Sequence, residues 1–401
     1  MTEAEERLSL HVGEGYGQMG VWVLDATVSD GDRRAAGMPT LEETYAAVLE
    51  ENLRRVAEAA RRDALPAGVQ IERVLREHAP AELERRLAGE RAVVWAEGEE
   101  LTVALRTRAA FGYVASGFEM PLWPRPGSDI RTATVRIRDL SQATLWLRVT
   151  ESEEVGNVFA GENLVYDLPW RGPDAPPPPK RVEADQHPIE VPSDALGTTR
   201  NVVVSMPNKT PEAVILGTDG MTAASVVRGL ERQGLVPPVA IFGVGQAMSA
   251  GGDMLARLDE YYYGREPAVF DPHFKFFTSE LPAWIKSNYD VDLPRERALV
   301  FGASAGGRFA AELLVLNPER FGLAISLSSA MTLEPEWPGD APVYGLGSGT
   351  LEDPNGNMRK LGDKLQAAGA RVHVHEWVGG HDGHAWGEAV AALLPEMLAE
   401  G

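Results

Sequence analysis

Val300-Phe301-Gly302-Ala303-Ser304-Ala305-Gly306-Gly307 closes a short apolar run and opens a helical pattern. The pentapeptide inside it is Gly-x-Ser-x-Gly, set between a strand signal and a helix signal. A serine on so tight a turn has a strained backbone, and side chains two residues to either side of it would collide. Such a turn lifts the hydroxyl clear of the sheet and aims the amide of Ala305, at a helix N-terminus, into the same space. The spacing therefore points to a nucleophilic serine, Ser304. A dinucleotide loop is the competing reading, but Gly-x-Gly-x-x-Gly is absent and no acidic residue follows at the required distance.

Short, nearly continuous apolar runs recur on both sides of this turn, at 202–205, 213–216, 239–244, 298–302, 323–327, 343–347 and 372–377. Helical patterns separate them, at 306–316, 358–368 and 387–398 among others. Strands of this kind, buried on both faces and alternating with helices, predict an α/β fold with a mostly parallel sheet across residues 193–401. Ahead of it, Pro173 to Pro179 contains four consecutive prolines, and residues 171–192 read as a stiff linker. From 91 to 170 the period is two, with strands expected at 93–96, 101–108, 132–138 and 144–149, which suggests an immunoglobulin-like β-sandwich. Residues 1–90 read as helical, with one helix over 41–56 behind a Thr40/Glu43 capping box and a charged one over 71–87, interrupted at Pro80.

A serine needs a base. Of the eight histidines, His373, His375, His381 and His384 follow Ser304 at a suitable distance. His373 and His375 alternate within one strand. His381 follows that strand directly, in Gly379-Gly380-His381, where an open α/β sheet keeps its site. It is the expected base, with His384 as its rival. Four histidines within twelve residues also raise a metal site, but no tightly spaced carboxylate pair accompanies them, so no metal or cofactor is expected. The acid should lie after the strand ending near Gly349. Glu352 is the expected residue. Asp353 precedes Pro354 and also reads as a helix cap, and Glu376 is more distant. Serine, acid, histidine is the chain order of the α/β-hydrolases. A second oxyanion donor beside Ala305 is expected at the amide of Met221, after Asp219-Gly220.

In these motifs the C-terminal half resembles the enterochelin esterase and esterase D group of α/β-hydrolases. The resemblance rests on the Asp219-Gly220 strand end, the Gly302-x-Ser304-x-Gly306-Gly307 elbow, Asn317-Pro318-Glu319-Arg320-Phe321-Gly322, and Gly379-Gly380-His381-Asp382. Arg257-Leu258-Asp259-Glu260 matches the family's Arg-x-x-Glu. Met221-Thr222-Ala223 stand where the family carries a tryptophan, and residues 245–270 are longer than is typical. The resemblance implies hydrolysis of ester bonds in ferric catecholate siderophores in the cytoplasm, with a sandwich ahead of the hydrolase. An anionic substrate of that kind would need local cations, for which Arg257, Arg265 and Arg308 are the candidates. Alternatives in view are a carboxylesterase or acyltransferase on sugar or phenolic esters, and a catalytically silent binding protein.

Composition excludes several other classes. The 401 residues hold no cysteine, which removes disulfides, thiol catalysis and thiolate metal sites together. A formal charge of −21 repels nucleic acid and anionic membranes. No apolar run reaches the roughly 18 residues of a membrane span. The opening Met1-Thr2-Glu3-Ala4-Glu5-Glu6 is acidic where a signal peptide is basic, so a cytoplasmic location is expected. The expected partner is a small-molecule ester, with no prediction of oligomeric state.

Overall fold

A computed structural model describes residues 34–35, 64–109, 111–125, 127–152, 165–246, 254–292, 294–337, 339–353 and 356–400. The chain divides into two compact units. One is Met1–Pro176 with Gly349–Asn355 and Trp377–Ala385; the other is Pro177–Ser348 with Gly356–Glu376 and Trp386–Gly401.

In the first unit the described strands are β1 (Ile71–Val74), β2 (Ala92–Glu97), β3 (Glu100–Arg106), β4 (Phe111–Val114), β5 (Met120–Pro121), β6 (Trp123–Pro124), β7 (Ile130–Ile137), β8 (Thr144–Ser152) and β9 (Val165–Arg171). They form two antiparallel sheets, β1-β7-β3-β2 with β6 on β7, and β5-β4-β8-β9. Alternate residues of both sheets, among them Leu101, Val103, Val135, Leu145 and Leu147, share one core. That alternation is the period-two pattern of 91–170.

The helix expected over 71–87 is corrected. Ile71 to Val74 is a strand, paired in register with Val74↔Thr134 through Ile71↔Ile137. Two of its four residues are β-branched and all four are buried, an environment that suits a strand. Its charged pair is absorbed by the sheet: Glu72 accepts from Arg136 at 2.9 Å. Helix α1 runs only over Pro80–Leu87, because proline fits the first helical turn and cannot continue an earlier one. Leu83 and Leu87 of α1 pack with Trp95 and Ile130. The helix expected over 41–56 lies outside the described residues.

In the second unit the strands are β10 (His187–Ser193), β11 (Thr198–Ser205), β12 (Ala213–Gly217), β13 (Val239–Val244), β14 (Ala298–Ala303), β15 (Leu323–Leu327), β16 (Val343–Gly349) and β17 (Arg371–Trp377). The sheet order is β10-β11-β13-β12-β14-β15-β16-β17. β13, β12, β14, β15 and β16 run parallel, and β10 and β11 add an antiparallel edge. Every residue of β12, β13, β14, β15 and β16 is buried, which is why their sequences read as apolar runs rather than alternations. β10 falls inside the stretch read as linker. Pro188 and Pro192 hid it, and they are tolerated because β10 is an edge strand. The further α-helices are α2 (Ala224–Arg232), α3 (Met254–Tyr261), α4 (Pro267–Lys275), α5 (Leu281–Tyr289), α6 (Ala305–Leu316), α7 (Asn357–Ala367) and α8 (Gly383–Glu400). Among the described residues no helix is long and apolar enough to cross a membrane.

Helix α6 is seated by Phe309, whose ring lies 5.2 Å from Phe277, 5.2 Å from His273 and 5.4 Å from Tyr261. Burial pushes the pKa of His273 down to about 4, so its imidazole stays uncharged at neutral pH. Phe309→Ala is expected to cost about 3–5 kcal/mol, through lost burial and an unfilled cavity. A denaturant titration with the slope held constant measures it.

Candidate active site

β14 ends at Ala303, and Ser304 turns the chain with φ 56° and ψ −128°. For a residue with a Cβ this left-handed backbone costs on the order of 1–3 kcal/mol. The surroundings hold it there. The Ser304 amide donates to Leu327 O at 2.9 Å, and Arg308 N returns to Ser304 O at 3.0 Å. A Cβ on Gly302 would stand 2.2 Å from Gly306 O, and one on Gly306 would stand 2.1 Å from Thr218 Oγ1. No side chain fits at either position. Ala305 opens α6, so its amide has no acceptor within the helix.

The loop after β12 packs against this turn. Asp219 and Gly220 are both left-handed, with φ of 56° and 71°. Thr218 N donates to Phe301 O at 2.9 Å, and Gly220 N to Val244 O at 2.7 Å. The Met221 amide, expected as the second oxyanion donor, instead closes the turn on Thr218 O at 2.8 Å. In this conformation its proton is taken.

Arg257, a candidate cation for an anionic substrate, lies on α3. It grips Asp219 in a bidentate pair, Nε–Oδ1 2.6 Å and Nη2–Oδ2 2.8 Å, and reaches Ala303 O at 3.4 Å. Glu260 is held by Arg200 at 2.6 Å. Arg257 thus ties the β12 loop to the residue before Ser304. Arg308 is likewise engaged, with Glu312 at 2.9 Å and Thr332 at 2.5 Å, its guanidinium 4.1 Å over the Tyr262 ring. Arg265 donates to Asp259 at 2.5 Å. Each of the three arginines expected to supply cations already faces a carboxylate.

The other chemistry-bearing loops belong to the first unit. Glu352 follows β16 and His381 follows β17. Glu352 Oε2 lies 2.6 Å from His381 Nδ1, and Glu352 Oε1 accepts from Gly349 N at 2.9 Å. With the carboxylate on Nδ1, that nitrogen keeps the proton and Nε2 is left as the basic atom. Asp353 sits beside this contact, its amide bonded to Gly349 O at 3.0 Å. Glu376, the third candidate acid, is paired with Arg359. His384, the rival base, lies flat on Trp146 with ring centroids 3.6 Å apart. His373 contacts Glu396 at 2.9 Å. No group of three or more His, Asp or Glu among the described residues is arranged to hold a metal ion.

Two carboxyl groups beside this pair carry unusual chemistry. Burial raises the pKa of Glu119, which interacts electrostatically with both His381 and Glu352. It lies in no motif, and no sequence signal marks it. Asp382 caps α8 by accepting from Ala385 N at 2.8 Å. Burial drives its pKa up to about 6 against those backbone donors, helped by the neighbouring Glu352.

Residues 193–344 match the protein family described as "Putative esterase". Among curated proteins, no sequence matches. Among solved structures, the chain resembles the enterochelin esterase of Shigella flexneri, with 15% identity and a TM-score of 0.58 over 83% of this chain and 98% of that one. The same enzyme in the presence of enterobactin matches at 15% identity and a TM-score of 0.58, over 81% and 100% of the two chains. Ferric enterobactin esterase from Salmonella typhimurium matches at 16% identity and a TM-score of 0.56, over 79% and 98%. At such identities the likeness is one of fold.

Asp382 generates a pH test. Its native pKa lies above the ordinary aspartate value, so the folded state binds the extra proton, and stability falls as pH rises from about 4 to about 6. Asp382→Asn keeps an oxygen for Ala385 N and cannot ionise. It should be more stable than the parent at pH 7.5, with the gain gone below about pH 4. Thermal midpoints at the two pH values read this directly.

Proposed function

We propose that the chain is a carboxylic ester hydrolase, as the match of residues 193–344 to the esterase family supports, and that Ser304, His381 and Glu352 are its nucleophile, base and acid. The 2.6 Å contact of Glu352 with His381 carries the reading. It gives the histidine one tautomer, in a chain whose only Gly-x-Ser-x-Gly turn has strained Ser304 into a nucleophile's conformation.

In this mechanism His381 Nε2 takes the Ser304 hydroxyl proton as Oγ bonds to the ester carbonyl carbon. The carbonyl electron pair moves to oxygen, which the Ala305 amide stabilises. Met221 N–H joins that role only by leaving Thr218 O. Collapse of the tetrahedral adduct breaks the ester C–O bond, and the imidazolium returns its proton to the departing alcohol. Water, deprotonated by the same histidine, then attacks the acyl-serine, and collapse breaks the Ser304 Oγ–C bond as the imidazolium returns its proton to Oγ and the acid leaves. Glu352 stabilises the imidazolium throughout.

For substrate class, we propose an ester of the ferric catecholate siderophore type, supported by the sequence motifs and by the fold shared with the enterochelin esterases. The immunoglobulin-type assignment of the two antiparallel sheets belongs to the same reading. A second reading, a neutral phenolic or sugar ester, is favoured by Arg257, Arg265 and Arg308 each being matched by a carboxylate.

Ser304→Ala should cut turnover of a nitrophenyl ester by about three orders of magnitude or more. Glu352→Gln should fall steeply as well, while Asp353→Asn stays near the parent. Wild-type turnover in Ser304→Ala refutes the assignment. Measured on the same preparations, turnover of feruloyl esters but not of a catecholate trilactone selects the second substrate reading.

A further inference from the structure

The segment 378–384, which carries His381, is gripped residue by residue by the antiparallel sheets of its own unit. Thr144, at the start of β8, donates its amide to Val378 O at 2.9 Å. A Cβ on Gly379 would stand 2.6 Å from Thr144 O, and one on Gly380 would stand 1.6 Å from Gly117 O. The paired glycines ahead of the histidine are therefore required by the approach of the sheets' backbone, not by a turn. Gly117 is fixed in turn: its φ is +87°, and a Cβ there would meet Leu147 Cδ2 at 2.6 Å. Ser116 is buried and donates its hydroxyl to the carbonyl of His381 itself at 3.1 Å. The Trp146 amide bonds the carboxyl of Asp382. Its ring stacks on His384 at 3.6 Å with 13° between planes, and its indole N–H donates to Asp167 at 3.1 Å, which anchors it to β9.

We propose that Ser116 and Trp146 are positioning residues for the catalytic base, so that the antiparallel sheets form part of the hydrolytic machinery rather than an accessory to it. This rests on the reading of His381 as base. Two loops do the work. The 115–119 loop holds the backbone at 380 and 381. The first residues of β8 hold it at 378, 379, 382 and 384. The histidine ring is thus fixed from two sides: Glu352 orients its Nδ1, and the sheets locate the backbone from which the ring projects. A misplacement of about 1 Å in a catalytic group costs as much as a hundredfold in rate, so contacts this close to the base act on turnover more than on binding. The placement also explains a sequence feature the esterase motif leaves open. Gly379-Gly380 lacks a positive-φ requirement in the structure, and the constraint on it comes from Thr144 and Gly117, more than two hundred residues earlier.

The test uses the full chain with Ser116→Ala, Trp146→Ala and Trp146→Phe. Three quantities are measured: kcat and KM on a neutral nitrophenyl ester, the thermal midpoint, and the far-downfield proton NMR signal of the His381 Nδ1–H held by Glu352, assigned by its loss in His381→Ala. Ser116→Ala removes one hydroxyl and should lower kcat about tenfold with KM within about twofold. Its imidazole proton signal should broaden or shift. Trp146→Ala should do the same more strongly, and Trp146→Phe, which keeps a flat ring on His384, should recover most of both. Parental kcat in both alanine variants, or a fall in kcat with the imidazole proton unmoved, overturns the proposal. If Ser304→Ala retains activity, the esterase relay is wrong, while the proton signal still reports whether Ser116 and Trp146 position the histidine.

Discussion

The absence of room at Gly302 and Gly306 is the constraint from which the geometry of Ser304, the proposed nucleophile, follows. Thr218, Asp219 and the helix backbone occupy the space where two Cβ atoms would stand. That packing brings the end of β14 and the start of α6 close enough to force Ser304 into left-handed backbone. A strained residue persists only where its surroundings over-determine it. Here they do so through the Leu327 carbonyl, the Arg308 amide and the Arg257–Asp219 pair that fixes the neighbouring loop. The charge pair serves geometry. Both partners are mostly shielded from water and bonded twice, an arrangement that specifies position more than it adds net stability.

The proposed acid and base are built differently. No strained residue holds His381; close backbone contacts from an antiparallel sheet do. Glu352 is itself pinned by the amide of Gly349, so its carboxylate reaches the imidazole with one oxygen while the other stays committed. Around the pair, Glu119 and Asp382 are carboxyl groups whose burial favours the neutral form. Burial thus penalises the charge on both neighbours, while Glu352 is the carboxylate in direct contact with the imidazole.

What could be read in the sequence followed the range of the interactions involved. The strands of the second unit were legible because full burial writes continuous apolar runs, and the serine turn because glycines at fixed offsets from one serine leave a local signature. β1 was misread because Glu72 and Arg73 made a buried strand look like a charged helix; only the pairing with β7 and Arg136 reveals the difference. Pro188 and Pro192 concealed β10 for want of knowing that it lies at an edge. Of the residues proposed at or around the site, Glu352 and His381 were accessible from chain order, whereas Ser116, Glu119 and Trp146 were not. Their roles arise from contacts spanning more than two hundred residues, and no short motif records such a contact. The arginines show the converse: the anionic substrate that the resemblance implies called for local cations, and the structure supplies each of the three with an internal carboxylate.

The central claim, a covalent acyl-enzyme on Ser304, is tested most directly by trapping. The protein is quenched in acid during turnover of a slowly deacylating nitrophenyl ester, digested, and its peptides weighed by mass spectrometry. The account predicts one acyl adduct, on the peptide containing Ser304, absent from His381→Ala under the same conditions. Continued turnover with an adduct on another residue, or with none at all on Ser304 under single-turnover quench, would contradict it.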